Sequence, residues 1–173
     1  AVLTPIIFRL ATAEVAGIVN DAEAKLLFLS IEQMERIGEL REAMPGVRSL
    51  ICFEAGGDGA TTYAAWRDQH ADADPKLAID PSAVALQLYT SGTTGTPKGV
   101  MLSHNNILKG RRDASLEIMP WNEWREGDVN LVAMPLGHIG GVGWGIVGFL
   151  NGAKSIVERE FIPGRVLELM GSQ

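Results

Sequence analysis

The residues Thr90–Lys98, TSGTTGTPK, bring together the groups that suit an anionic, phosphate-bearing ligand. Thr90, Ser91, Thr93, Thr94 and Thr96 carry hydroxyls that can donate to phosphate oxygens, and Lys98 adds a formal positive charge. Hydrogen bonds to a charged phosphate are about twice as strong as neutral ones. Gly92 and Gly95 permit positive φ and let successive backbone N–H groups turn toward one point. The run follows an apolar segment, AVALQLY, directly.

A nucleoside-triphosphate loop of the Walker type is excluded by spacing. That pattern places Gly-Lys-Ser/Thr four residues after a first glycine and then enters a helix. Here Gly95 is followed by Thr-Pro-Lys-Gly and then by the apolar Val100, Met101 and Leu102. The order predicts strand–loop–strand.

The elements that must hold this loop can be read from periodicity. Val15, Ile18, Val19 and Ala22 recur at helical spacing behind Thr12, which predicts a helix over Thr12–Asp21 with Thr12 as its cap. Lys25–Leu29 reads as a short strand. Ile31, Met34, Ile37 and Leu40 predict a second helix, ended by Pro45-Gly46. Val47–Phe53 reads as a strand, Glu54–Thr61 as a Gly-rich loop, Thr62–His70 as a helix, and the acidic Ala71–Pro81 as a surface connection. Further on come a strand at Ala83–Tyr89, a short apolar run at Val100–Leu102 and a helix capped by Ser103. A strand at Val129–Met134, a Gly-rich helix at Gly140–Leu150, a strand at Ala153–Val157 and a helix from Pro163 complete the pattern. Strands alternating with helices predict an α/β fold of three layers: a mostly parallel sheet, helices on both faces, Ala83–Tyr89 central.

Composition narrows the classes. The net charge of −6 argues against nucleic acid as a partner, which calls for a basic face. Cys52 is the single cysteine, so no internal disulfide can form, and a cytoplasmic location is the expectation. It sits in SLICF and reads as a small core hydrophobe. No apolar run reaches the ~18–20 residues of a membrane-spanning helix. AVLTPIIF, without an initiator methionine, reads as a cut or processed end.

Thr90–Val100 followed by Met-Leu-Ser-His-Asn-Asn resembles the AMP-binding signature of acyl- and aryl-CoA synthetases, peptide-synthetase adenylation domains and beetle luciferases, unbroken from Leu88 to Asn105. Pro135–Gly141, PLGHIGG, resembles the second core motif of that superfamily, with Gly137 where an aromatic is usual. Ile6–Asp21 resembles a segment in which Asn-x-Arg-Leu precedes a helix, with Ile7 in place of the asparagine. The resemblance implies a two-step reaction: a carboxylate attacks the α-phosphorus of ATP, and the acyl group then passes to a thiol, usually coenzyme A. By residue match it implies phosphate contacts at Thr90, Ser91, Gly92, Thr93, Thr94, Gly95 and Lys98, with Mg2+ at Thr94. It implies His138 as a catalytic residue near the acyl and carboxylate pocket. A hydrogen-bonded core histidine at a strand end is the other reading of His138, and both stay open. His104 reads as structural beside the Ser103 cap, and His70 as solvated. Trp121 and Trp124 read as packing residues or a lipophilic lining, and Gly140, Gly141, Gly143 and Gly145 as sites of close helix packing.

Parts of the superfamily pattern are absent from these 173 residues: Tyr-Gly-x-Thr-Glu, Thr-Gly-Asp and the C-terminal domain with its lysine. The chain is therefore expected to be residues 1–173 of a partial AMP-binding (adenylation) domain, inactive alone, from a ligase acting on a carboxylic acid of fatty type. Self-association through surface exposed by truncation is a further expectation. Rival readings are a freestanding, non-catalytic phosphate-binding module, an inert structural fragment, and an adenylation domain for amino or aryl acids.

Overall fold

The computed structural model describes residues 1–54, 59–90, 97–116 and 123–172. The fold is α/β, as the alternation predicts. The chain divides into two compact units, Phe8–Ala78 and Ala1–Ile7 with Ile79–Gln173.

In the first of these, α1 (Thr12–Asp21) buries Val15, Ala16, Ile18 and Val19, the stripe that helical spacing predicts. The cap is Ala11 and not Thr12: Ala11 N–H donates to Glu14 Oε2 at 2.9 Å, so the acidic side chain satisfies an amide that Thr12 does not. Three strands follow: β1 (Leu26–Leu29), β2 (Ser49–Cys52) and β3 (Ala60–Thr62). They form a parallel sheet in the order β1-β2-β3, with Leu27 opposite Leu50 and Leu50 opposite Ala60. Cys52 lies fully buried in the middle strand, the position its apolar run predicts. Between β1 and β2, α2 (Ile31–Ile37) stops early and tightens into a 3-10 turn at Gly38–Ala43. Gly38 is the poorest helix former in that stretch, costing about 1 kcal/mol against alanine inside a helix. β3 takes up the end of the segment read as a loop and Thr62, read as the start of a helix, because three residues are too few to show a period. It leads into α3 (Tyr63–Arg67), capped by Thr62 Oγ1 accepting from Ala65 N at 3.1 Å.

The second unit holds the phosphate-type motif. β4 (Val84–Thr90) and β5 (Lys98–Ser103) pair as an antiparallel hairpin. The antiparallel sense follows from chain length. Seven residues separate Thr90 from Lys98, whereas a parallel crossover needs about a dozen or more. On the other edge of β4, Leu3 N donates to Ala85 O and Gln87 N to Leu3 O, both at 2.9 Å, so β4 has neighbours on both sides. An Asx turn launches the strand. Asp80 Oδ1 accepts from Ser82 N and Ser82 Oγ, each at 2.8 Å, and these bonds hold the Asp80 carboxyl below its ordinary range. α4 (His104–Leu116) starts as predicted behind Ser103, whose Oγ accepts from Asn106 N at 3.2 Å.

β6 (Val129–Val132) and β7 (Lys154–Val157) are parallel, joined by α5 (Ile139–Leu150) and followed by α6 (Pro163–Ser172). This is the βαβ arrangement that the alternation implies. Leu86 and Leu88 of β4 pack with Val142 of α5, and Leu102, Ile107 and Ile146 close around them. On one face of β6, Asn130 reaches α5. On the other, Leu131 and Ile156 line a cavity of about 320 Å³ with Leu169 and Met170 of α6. Helices therefore stand on both faces of this parallel pair. Among the described residues the strands form three sheets, not one, and the β4–β5 pair departs from the parallel rule.

Asn130 is the buried polar side chain of this layer, 1% exposed, and its Nδ2 donates to Trp144 O at 3.1 Å. Gly148 makes that approach possible: a Cβ there would stand 2.2 Å from Asn130 Nδ2 and 2.6 Å from its Cγ. Gly148→Ala is expected to destabilise the chain by about 1–3 kcal/mol, the scale of core overpacking, measured by urea unfolding. An unchanged midpoint would show that the Asn130 amide is free to move aside.

Candidate functional site

The hairpin delivers the two ends of the hydroxyl-rich loop to one place. Thr90, the last residue of β4, lies opposite Lys98, the first of β5, in the antiparallel register. Both are exposed. The run is flanked by a strand on each side, as the sequence predicts, and no helix opens behind it. Ser91, Gly92, Thr93, Thr94, Gly95 and Thr96 lie outside the described residues.

What fixes the mouth of the hairpin is a glycine. Gly99 stands opposite Tyr89, and a Cβ on it would fall 2.3 Å from Gln87 Nε2 and 3.0 Å from Tyr89 Cζ. The Tyr89 ring thus covers the backbone of β5 at the residue after Lys98. Gln87, two residues before Tyr89 and on the same face of β4, donates from Nε2 to Tyr89 Oη at 3.0 Å. In the sequence Gly99 stands only as part of the motif. The alternation of Gln87 and Tyr89 opposite a glycine was the available signal.

His138 is the residue before α5 and is exposed. Its backbone is held tightly: His138 N donates to Pro135 O, and its carbonyl accepts from Gly141 N and Val142 N, all at 3.0 Å. Gly141 cannot carry a side chain, since a Cβ would meet Pro135 O at 2.2 Å and Met134 O at 2.6 Å. Gly137 is buried, and a Cβ there would meet Ile7 Cγ1 at 2.5 Å. The buried-core reading of His138 is overturned by its exposure, and its backbone is fixed by these three bonds. The hairpin mouth and His138 hang on one core, because Val142 of α5 packs on Leu86 and Leu88 of β4.

The other singled-out residues fall into place around this. His104 opens α4, with its backbone N–H donating to Ala83 O at 3.1 Å. His70 is exposed, in the other unit, and its Nδ1 lies 2.9 Å from Trp66 O. Trp124 packs against Trp144 with ring centroids 5.9 Å apart, and Trp121 lies outside the described residues. Gly140 packs against Met134, where a Cβ would meet Cε at 2.7 Å, and Gly145 lies in ordinary contact distance of Val132. Among the described residues no three His, Cys, Asp or Glu side chains stand together as a metal site, and no helix is long and apolar enough to cross a membrane.

The family model of the AMP-binding enzyme matches residues 1–171. The fatty acid–acyl-carrier-protein ligase ScoC of Streptomyces coeruleorubidus is 36% identical over 170 residues, which cover 98% of this chain and 31% of that protein. The medium-chain fatty-acid–CoA ligase of Escherichia coli K12 is 29% identical over 182 residues, covering 100% of this chain and 31% of that protein. Among solved structures, ATP-bound MatB from Rhodopseudomonas palustris superposes with a TM-score of 0.76 at 24% identity, over 99% of this chain and 33% of that one. The chain spans about a third of the length of the relatives it matches.

Proposed function

We propose a function from one premise: the chain belongs to the AMP-binding enzyme family. In this reading it is part of the adenylation domain of an ATP-dependent ligase that activates a carboxylic acid of fatty type. The observation that carries the reading is the hairpin, with Thr90 opposite Lys98 and the hydroxyl-rich residues between them.

The acid's carboxylate oxygen attacks the α-phosphorus of ATP, pyrophosphate leaves, and a mixed acyl–phosphate anhydride remains. The thiol of coenzyme A then attacks the acyl carbon and AMP leaves. In the first step Thr90, Ser91, Thr93 and Thr94 donate hydroxyl hydrogen bonds to the β- and γ-phosphates. Gly92 and Gly95 let backbone N–H groups face the same oxygens, and Lys98 offsets the charge that grows on the departing pyrophosphate. Such groups act by positioning and by charge stabilisation set up in advance. Mg2+, when bound, would supply positive charge to the phosphates, and Thr94 is this chain's candidate to hold it. One protein hydroxyl suffices there, because Mg2+ on a nucleotide takes most of its oxygens from phosphate and water. His138, exposed and on a fixed backbone, is the candidate to meet the acid's carboxylate.

A second acceptor is favoured by one relative: ScoC is an acyl-carrier-protein ligase by name, so a carrier-protein thiol competes with coenzyme A for the second step. The adenylation chemistry is the same in both. Location in the cytoplasm, and self-association of the isolated chain through apolar side chains such as Phe149 and Leu167, 84% and 70% exposed, belong to the same proposal.

The test is ATP–pyrophosphate exchange by the full-length protein with straight-chain, aryl and amino acids, followed by transfer to coenzyme A or to a carrier protein. Fatty-acid-dependent exchange is the expected result. Exchange only with aryl or amino acids would replace the substrate class, and ATP binding without exchange would leave the binding-module reading in place.

A further inference from the structure

Two departures from the superfamily pattern, Ile7 and Gly137, are 130 residues apart in the chain and touch in the fold. Ile7 is the last residue of its unit's N-terminal segment and is half-buried, and Gly137 is buried in the turn that carries His138. A Cβ at 137 would lie 2.5 Å from Ile7 Cγ1, 3.1 Å from Ile7 N and 3.3 Å from Ile7 Cα. The first clash is with a side-chain atom and ends if that atom is removed. The other two are with backbone, tight but tolerable. Room for a side chain at 137 is therefore controlled by the residue at 7.

The turn has little room to shift away from the clash. On its far side Gly141 already lies against Pro135 O and Met134 O so closely that no Cβ fits, and Gly140 presses on Met134. His138 is tied to this turn by its N–H, which donates to Pro135 O, and to the start of α5 by its carbonyl, which accepts from Gly141 N and Val142 N. Any push at 137 passes to the His138 backbone.

We propose that Ile7 and Gly137 form a matched pair that positions His138, with the aliphatic side chain of Ile7 seated in the space a side chain at 137 would need. Ile7 acts as a positioning residue for the acid-binding step. The functional part of this inference rests on the adenylation reading, whereas the structural part stands on the contact alone.

The experiment is a double-mutant cycle in the full-length protein: Gly137→Ala, Ile7→Ala and both together, read by ATP–pyrophosphate exchange and by thermal melting. Gly137→Ala is expected to lower kcat/KM for the acid roughly ten- to a hundredfold, the cost of displacing a positioned group by about 1 Å, with KM for ATP unchanged. Adding Ile7→Ala is expected to restore most of that loss and to restore the melting temperature. Equal losses in the ATP and acid parameters would mean a general folding defect and would overturn the positioning role. A double variant as poor as the product of the two singles would overturn the pairing. If the wild-type protein shows no exchange with any acid, the adenylation reading fails by itself. The melting cycle still decides the pair in that case, and also if Gly137→Ala alone does not fold.

Discussion

The purified 173-residue chain is expected to show no acid-dependent ATP–pyrophosphate exchange, at least about a thousandfold below the full-length protein. The reason lies in what these residues contain and lack. In the proposed reading the hairpin offers hydroxyls and one cation to the β- and γ-phosphates. The superfamily pattern adds a glutamate in Tyr-Gly-x-Thr-Glu, an aspartate in Thr-Gly-Asp and a C-terminal lysine, and none of these segments occurs among the 173 residues. Loss of a single preorganised donor to a developing charge commonly costs about 10²–10³ in rate, and here several are missing together. The chain covers 31% of the length of each of two ligase relatives, which agrees with that deficit. Exchange assays with a panel of fatty acids, run beside the full-length protein at equal concentration, decide it. Robust exchange by the 173-residue chain would mean that Thr90–Lys98 and His138 suffice for adenylation, and the partial-domain reading would have to be given up.

The sequence revealed the fold best where burial imposes a period. Val15, Ile18 and Val19 in α1, and the alternation that buries Leu86 and Leu88 in β4, are visible as patterns because one face meets a core. The sense of the β4–β5 pair was less accessible. Alternation says that a strand exists, whereas its direction depends on the length of the connection, and here the short hydroxyl-rich loop decides it. β3 escaped notice because three residues cannot establish a period, and α2 was overextended because Gly38 interrupts a stripe without changing its spacing. Of the candidate site, the residue types at Thr90–Lys98 were legible from composition and order alone. The contacts that hold the mouth and the turn were not. Tyr89 over Gly99, Gly141 against Pro135 and Ile7 against Gly137 are meetings through space, and a glycine in sequence does not say which atom occupies its missing side chain's place.

Lys98→Ala in the full-length protein is expected to separate two ligands that share an adenosine. Lys98 begins β5 at the hairpin mouth, opposite Thr90, and its side chain is exposed. If it faces the departing pyrophosphate, it interacts with ATP and with the transition state but not with a preformed acyl-adenylate, which carries only the α-phosphate. The substitution should then lower kcat/KM for ATP by roughly 10²–10³, the usual effect of removing one preorganised stabilising group. Affinity for a non-hydrolysable acyl-adenylate should stay within about fivefold, the scale of an exposed charge contact. Gly99, next in the chain, provides the control. Gly99→Val forces the Tyr89 ring and the Gln87 amide off β5 and disturbs the hairpin itself, so it should weaken both ligands and lower the melting temperature. Both affinities must be measured on the same preparation of each variant, by calorimetry for the adenylate analogue and by steady-state kinetics for ATP. If Lys98→Ala weakens the two ligands equally and melts early, as Gly99→Val should, then Lys98 holds the shape of the hairpin, and the assignment of the loop to the β- and γ-phosphates loses its charged member.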